Sequence, residues 1–418
     1  LLLNTQPAPP SFDLYAKGYS SATSFNQSDS GAVEDEDGPY SLISPDHWRH
    51  WLSRHSTNES DTSITIGKIQ PTSLHTDWGC GISMQLLFET RSSETMPTIP
   101  STTKTFFKAS HSDMSHYDAE SHLREIKAYY LDRILKTNVV LPCIGYRLNR
   151  RNMQEDNNNW DTINENLWCL NENANKPKNP SGDDRREIVE GSMMLWLNDL
   201  RQVEKETILR HAQTFNANKF SVARSQELMK ERQSAWNYAI FHYIGACMKS
   251  EHNHFSYRKK KKHKSSAADG DDFSRHYVAI DNDRCMTPKS VYSNRKVVPE
   301  LHFNRIKLWE NMVFKQICEA TTHELPVFQV VQEAAAVIRK DATNSKRTVS
   351  SRLLKALEND ALSHELLSSQ PEAFREIDER IYKLSEYIRN RCPKEAPTRN
   401  NGLKWQPILN HSMRDKDL

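Results

Sequence analysis

The sequence predicts an α+β protein of two lobes, strand-rich in its first half and helix-rich in its second. Short strand-like runs bounded by Ser, Thr and Pro recur between residues 63 and 109. Amphipathic helical patterns fill most of the chain after residue 198. Nine tryptophans and 14 phenylalanines supply the large apolar side chains that a core needs. The length of 418 residues suits two or three domains or one large two-lobed body. A mean hydropathy of −0.77 is low for a fully compact chain and implies polar tails and insertions.

Each element follows from local pattern. Residues 1–43 are rich in Ser, Pro, Asp and Gly without periodicity and read as a disordered stem. Ser44-Pro45 opens a short helix through Trp48, Trp51 and Leu52, with serine capping and proline at the first helical position. Strands are expected over 63–69, 82–89 and 103–109. The next helix carries Leu123, Ile126, Tyr130 and Ile134 at spacings of three and four, so one side of it should face the core. Residues 139–148, with a proline and a glycine, read as a connector. Residues 149–186 read as a polar insertion with one short strand at 167–170, followed by a buried strand over 188–197. From about 198 the pattern is helical, and Trp236, Ala239, Ile240, Tyr243, Ile244 and Cys247 mark one strongly amphipathic segment. A polar break spans 250–274, and Tyr277 to Ile280 form a short strand. Helices are expected over 301–319, 323–340, 349–367 and 371–391, the last with Phe374, Ile377, Ile381, Leu384 and Ile388 on one face. The expected division is a stem (1–43), a first lobe (44–197), a helical second lobe (198–392) with a basic insertion (250–274), and a tail (393–418).

Composition narrows the function classes. The 56 basic and 54 acidic residues nearly cancel, so no global attraction to polyanions follows. The seven cysteines form no C-x-x-C pair, which removes support for zinc or thioredoxin-type chemistry. Their wide spacing suits buried thiols or long-range disulfides, with at least one left unpaired within the chain. Sequons at Asn26, Asn58 and Asn410 permit a secretory route. The apolar start Leu1-Leu2-Leu3, without methionine, is compatible with a type II signal anchor upstream of residue 1. The run from Arg258 to Lys264 is compactly basic but not interleaved with aromatics, so it reads first as a solvated loop and no nucleic-acid partner is expected. Of the scattered histidines, pairs such as His252 and His254 could ligate metal, while most read as surface or capped core residues.

One constellation carries chemistry. Lys108 lies in a strand-like run, and Glu125 follows 17 residues later inside the helix. A strand lysine paired with a helix glutamate is how a protein kinase holds ATP phosphates. Glu190-Gly191-Ser192 opens the apolar strand between the halves, and Asp281-Asn282 ends a short strand after the polar break, where a carboxylate would meet a divalent ion. No glycine-rich phosphate loop is present among the 12 glycines.

On these residues the chain resembles the four-jointed and Golgi-associated secretory-pathway kinase superfamily. The likeness rests on Cys80-Gly81, the helix from Glu125 to Leu135, Glu190-Gly191-Ser192 with Trp196-Leu197, Phe241-His242-Tyr243-Ile244, and Ile280-Asp281-Asn282, in the family's order over roughly 45–340. The resemblance implies an atypical protein-kinase-like fold, ATP with Mn2+ or Mg2+, a Golgi-lumen or extracellular location, and secreted or cell-surface protein substrates. It implies that Lys108 holds the phosphates, that Glu125 orients Lys108 or helps to bind metal, that Glu190 lies in the inter-lobe hinge near the adenine, and that Asp281 binds metal.

The chain departs from the family at one functional position. The expected catalytic aspartate falls on Lys249, the following arginine on Ser250 and the helix aspartate on His242. An ammonium group cannot accept the substrate's proton. A lost contribution of roughly 10²–10⁴-fold corresponds to about 2.7–5.4 kcal/mol. Glu251 could substitute only if the loop shifts. Two readings therefore follow, a Ser/Thr kinase and a pseudokinase that acts as a secreted binding partner or allosteric regulator. A third, a nuclear protein interacting through its basic loop, requires reduced thiols and unoccupied sequons.

Overall fold

The structure is a computed structural model. It describes residues 62–71, 82–90, 102–109, 121–149, 188–195, 200–212, 222–247, 254–260, 273–280, 299–318, 331–336, 348–360 and 371–392, with a few single residues between them. The expected stem, the helix near Trp48, the strand at 167–170 and the tail lie outside the described residues. Among the described residues no helix is long and apolar enough to cross a membrane.

The first half is built on β1 (Thr62–Pro71), β2 (Ile82–Thr90), β3 (Thr102–Ala109), β4 (Cys143–Asn149) and β5 (Ile188–Leu195). They form one antiparallel sheet in the order β1-β2-β3-β5-β4, and helix α1 (Ser121–Leu135) leads from β3 to β4. A second sheet orders β6 (Leu200–Val203), β7 (His254–Lys260) and β8 (Phe273–Val278). The second half is otherwise helical, with α2 (Lys205–Ala212), α3 (Val222–Ile244), α4 (Pro299–Gln316), α5 (Val349–Glu358) and α6 (Pro371–Arg391). The fold is α+β, with the division between strands and helices that the sequence predicts.

Local pattern accounts for most elements. On α6 the residues Phe374, Ile377, Ile381, Leu384 and Ile388 are all buried, and Pro371 begins the helix. Thr348 caps α5, accepting from the Ser351 N–H at 3.2 Å, and the Ser350 N–H donates to Asp378 of α6 at 3.2 Å. The cap thus also docks α5 on α6. The Trp236 indole N–H on α3 donates to the Ala212 carbonyl at 3.0 Å and closes the end of α2. Residues 331–336, within the helix expected at 323–340, are helical.

Three expectations need correction. The connector at 139–148 contains strand β4, whose Cys143, Ile144, Tyr146 and Leu148 are all buried. With both faces covered, no alternation of polar and apolar residues was there to read. The region after 198 begins with strand β6 rather than helix. The polar break contains β7 and the start of β8, so Arg258, Lys259 and Lys260 are strand residues and Arg258 stands opposite Arg275. Extended charged residues carry no hydrophobic period, which is why this hairpin reads as a loop.

Helix α1 is the largest departure. The pattern predicts one core-facing side, but every described position from His122 to Leu135 is buried. Helix α5 packs against it from the second half, while β4 and β5 pack from the first.

Cys247 bonds to Cys285 and Cys318 to Cys392, and Cys143 is a free, buried thiol. The bridges close sequence separations of 38 and 74 residues. In the chain-entropy account each is worth roughly 4 kcal/mol. Replacing Cys318 and Cys392 together by serine should lower unfolding stability by about 2–4 kcal/mol in urea titration without changing the far-ultraviolet spectrum.

Candidate functional site

The site is assembled where β3, β5, β4 and α1 meet. Lys108 is the penultimate residue of β3 and stands opposite Ser192 of β5, which in turn stands opposite Gly145 of β4. Gly191 lets the two central strands approach at this point. A Cβ there would collide with the Lys108 carbonyl and the Phe107 ring.

Glu125 lies one turn into α1, directed at that row. Its Oε1 is 3.8 Å from Lys108 Nζ, with the side chains 2% and 15% exposed respectively. The separation is that of an ion pair longer than a hydrogen bond. Removing the cation from a buried, paired carboxylate typically costs about 3–5 kcal/mol, so the pair should matter to stability as well as to ligand binding. The Lys108 side chain is partly exposed while Glu125 is buried, which suits a lysine anchored from behind and presented to an anion in front.

The charged side chains of α1 have partners built into the fold. Arg133 donates to the Val140 carbonyl at 3.0 Å and to Asn138 Oδ1 at 2.7 Å, and its guanidinium lies over the Tyr129 ring. Asp132 Oδ1 accepts from the Thr137 hydroxyl at 2.5 Å and the Val139 N–H at 2.9 Å, which stops the helix and turns the chain toward β4. Burial pushes the Asp132 carboxyl above its ordinary value, against the pull of Arg133 and these hydrogen bonds. Lys127 sits over the Phe374 ring of α6.

A thiol that sequence reasoning passed over lies behind the pair. Cys143, first residue of β4, is fully buried, and burial is the main reason its thiol is held well above the usual range. The nearby charges of Glu125 and Asp360 push it further up, while hydrogen bonding with Ser192 and the charge of Lys108 oppose them. Nothing in its spacing marks Cys143 as a buried free thiol. The neutral thiol should therefore resist alkylation by iodoacetamide at pH 8 in the native protein and react on unfolding, as followed by mass spectrometry.

The remaining sequence candidates fall in different places. Glu190 is two residues before Ser192 on β5, nearly half exposed, and accepts a hydrogen bond from Arg147 of β4 at 2.8 Å as a directly opposed cross-strand pair. It is not joined to the Lys108–Glu125 pair by any described contact. Asp281, Lys249 and Glu251 lie outside the described residues, but described residues beside Asp281 and at the end of α3 are tied into the fold. Ala279 donates its N–H to the Val139 carbonyl at 2.7 Å, and Val140 and Ala279 form a parallel bridge, so the end of β8 is tied to the turn after α1. Asn282 is fully buried and donates to the Ala279 carbonyl at 3.1 Å. The Met286 N–H donates to the Gly245 carbonyl at 2.6 Å, and the Cys247–Cys285 bridge joins the end of α3 to the same segment. His242 is buried against the rings of Tyr238 and Trp309, at 4.1 and 5.1 Å between centroids. Its neighbours Cys247 and Cys285 are bonded to one another, which removes both thiolates that a metal would need.

No known family model matches this sequence, and no curated protein matches it. Solved structures do. The chain is similar to a hydra Fam20 determined with sugar, at 13% identity and a TM-score of 0.42, over 81% of this chain and 88% of that one. It is similar to the Golgi casein kinase, at 15% identity and a TM-score of 0.45, over 87% of this chain and 81% of that one. A form of the Golgi casein kinase with Mn/ADP bound gives 14% identity and a TM-score of 0.45, over 84% and 78%.

Proposed function

We propose that this chain is a kinase-like protein of the secretory pathway that binds ATP with Mn2+ or Mg2+. The observation that carries the reading is the Lys108–Glu125 pair, an ammonium on β3 held by a buried carboxylate on the following helix. Lys108 holds the phosphates and Glu125 orients it. The residues present fit such a group, because the Lys108 side chain is partly exposed and its counter-charge on Glu125 is buried. Asp281 would hold the metal, which would supply positive charge to offset that of the phosphates. Glu190 is the hinge candidate. The two long-range disulfides favour an oxidising compartment, so the protein works in the Golgi lumen or outside the cell, on secreted or cell-surface proteins.

Thermal unfolding with ATP and Mn2+ tests the reading. A ligand at a hundred times its dissociation constant adds about 2.7 kcal/mol. The wild type should shift upward only when both components are present, and Lys108→Ala and Asp281→Ala should each abolish the shift. A folded wild type that does not respond overturns the reading.

Lys249 favours a second reading, a pseudokinase that binds nucleotide and acts as a secreted partner or allosteric regulator. The side chain at the position expected for the proton acceptor is an ammonium. If transfer is lost for this reason alone, Lys249→Asp should raise phosphate transfer from ATP to a Ser/Thr substrate mixture by about 10²-fold or more. A wild type that already transfers phosphate at rates on the order of 1 s⁻¹ overturns the pseudokinase reading.

A further inference from the structure

The row that carries Lys108 ends on a buried carboxylate from the far part of the chain. Gly145 occupies the outer position of the row Lys108–Ser192–Gly145, on the edge strand β4. Its N–H donates to Asp360 Oδ2 at 3.1 Å, across a sequence separation of 215 residues. The same oxygen accepts from the Tyr130 hydroxyl of α1 at 3.3 Å, and Oδ1 accepts from the Leu362 N–H at 3.1 Å. Asp360 is 2% exposed and follows the C-cap of α5 by one residue. Position 145 must be glycine for this contact, since a Cβ there would collide with Asp360 Oδ1 and crowd Leu362.

Two parts of the nucleotide site therefore meet on one carboxylate. Gly145 fixes the strand row that holds Lys108. Tyr130 fixes the helix that holds Glu125, five residues earlier on α1. The Cys143 thiol, raised chiefly by burial, also feels both Glu125 and Asp360, so the two carboxylates lie close to the same buried group. We propose that Asp360 is a positioning residue of the nucleotide site, which sets the spacing of Lys108 and Glu125 from behind and couples nucleotide affinity to the seating of α5. This rests on the nucleotide reading above and adds to it a control point in the second half of the chain.

The test uses the full chain with Asp360→Asn, Tyr130→Phe and, as a control, the core truncation Ile381→Val on α6. Three quantities are measured: melting temperature, dissociation constant for ATP with Mn2+ by calorimetry, and acetic-anhydride labelling of Lys108 in nucleotide-free protein. Asp360→Asn and Tyr130→Phe should raise Lys108 labelling and weaken ATP by about three- to tenfold. Ile381→Val should lower the melting temperature and leave labelling and affinity unchanged. Tyr130→Phe removes a single hydroxyl, so it decides the matter if Asp360→Asn does not fold. Wild-type labelling in both site variants overturns the proposal, as does an equal rise in the control. Labelling needs no nucleotide. If the wild type binds no ATP, the nucleotide reading falls and labelling alone decides whether Asp360 positions Lys108.

Discussion

Helix α1 is buried on every described side, yet it carries His122, Arg124, Glu125, Lys127, Asp132 and Arg133. Burying ionised groups costs several kcal/mol each unless partners are supplied in good geometry. The fold supplies partners to several of them. Lys108 comes from β3, the Thr137 hydroxyl and Val139 N–H from the turn after the helix, and the Phe374 ring from α6. The Asp360 carboxylate, from the end of α5, accepts the Tyr130 hydroxyl. Because these partners come from both halves of the chain, α1 is the piece on which sheet and helices agree. The Lys108–Glu125 pair is one member of this set, with the Lys108 side chain partly exposed.

Further ties carry the same logic toward the second half. The turn after α1 bonds to the end of β8, and the Asn237 side chain on α3 donates to the Thr137 carbonyl at 3.0 Å. The Cys247–Cys285 bridge then holds the end of α3 to the chain after Asn282. The end of α3 and the described residues on either side of Asp281 are thus tied to the turn that follows the helix carrying Glu125.

The sequence made the α+β division and the Lys108–Glu125 relation legible for a simple reason. Hydrophobic period and chain order report local structure, and this pair spans one strand and the next helix. The same logic placed α6, whose five apolar positions are all buried. It failed where burial is two-sided or the partner is remote. Strand β4 carries no alternation, and the hairpin of β7 and β8 is masked by charge. Asp360 lies 215 residues from Gly145 and 230 from Tyr130, and no local pattern marks it. The pairing of the cysteines could not be read from spacing either, because widely separated thiols leave many pairings open. Glu190 shows a further limit, for its motif is apparent in sequence while its cross-strand partner Arg147 is not.

The central claim is that Lys108 and Glu125 are energetically coupled in the native state. A double-mutant cycle with Lys108→Met, Glu125→Gln and the combined variant, read by urea unfolding of the nucleotide-free protein, addresses it most directly. The account predicts a coupling of about 1 kcal/mol or more, with the double variant less destabilised than the sum of the single ones. Additivity within about 0.3 kcal/mol would contradict it and would leave the buried glutamate to be explained by other partners.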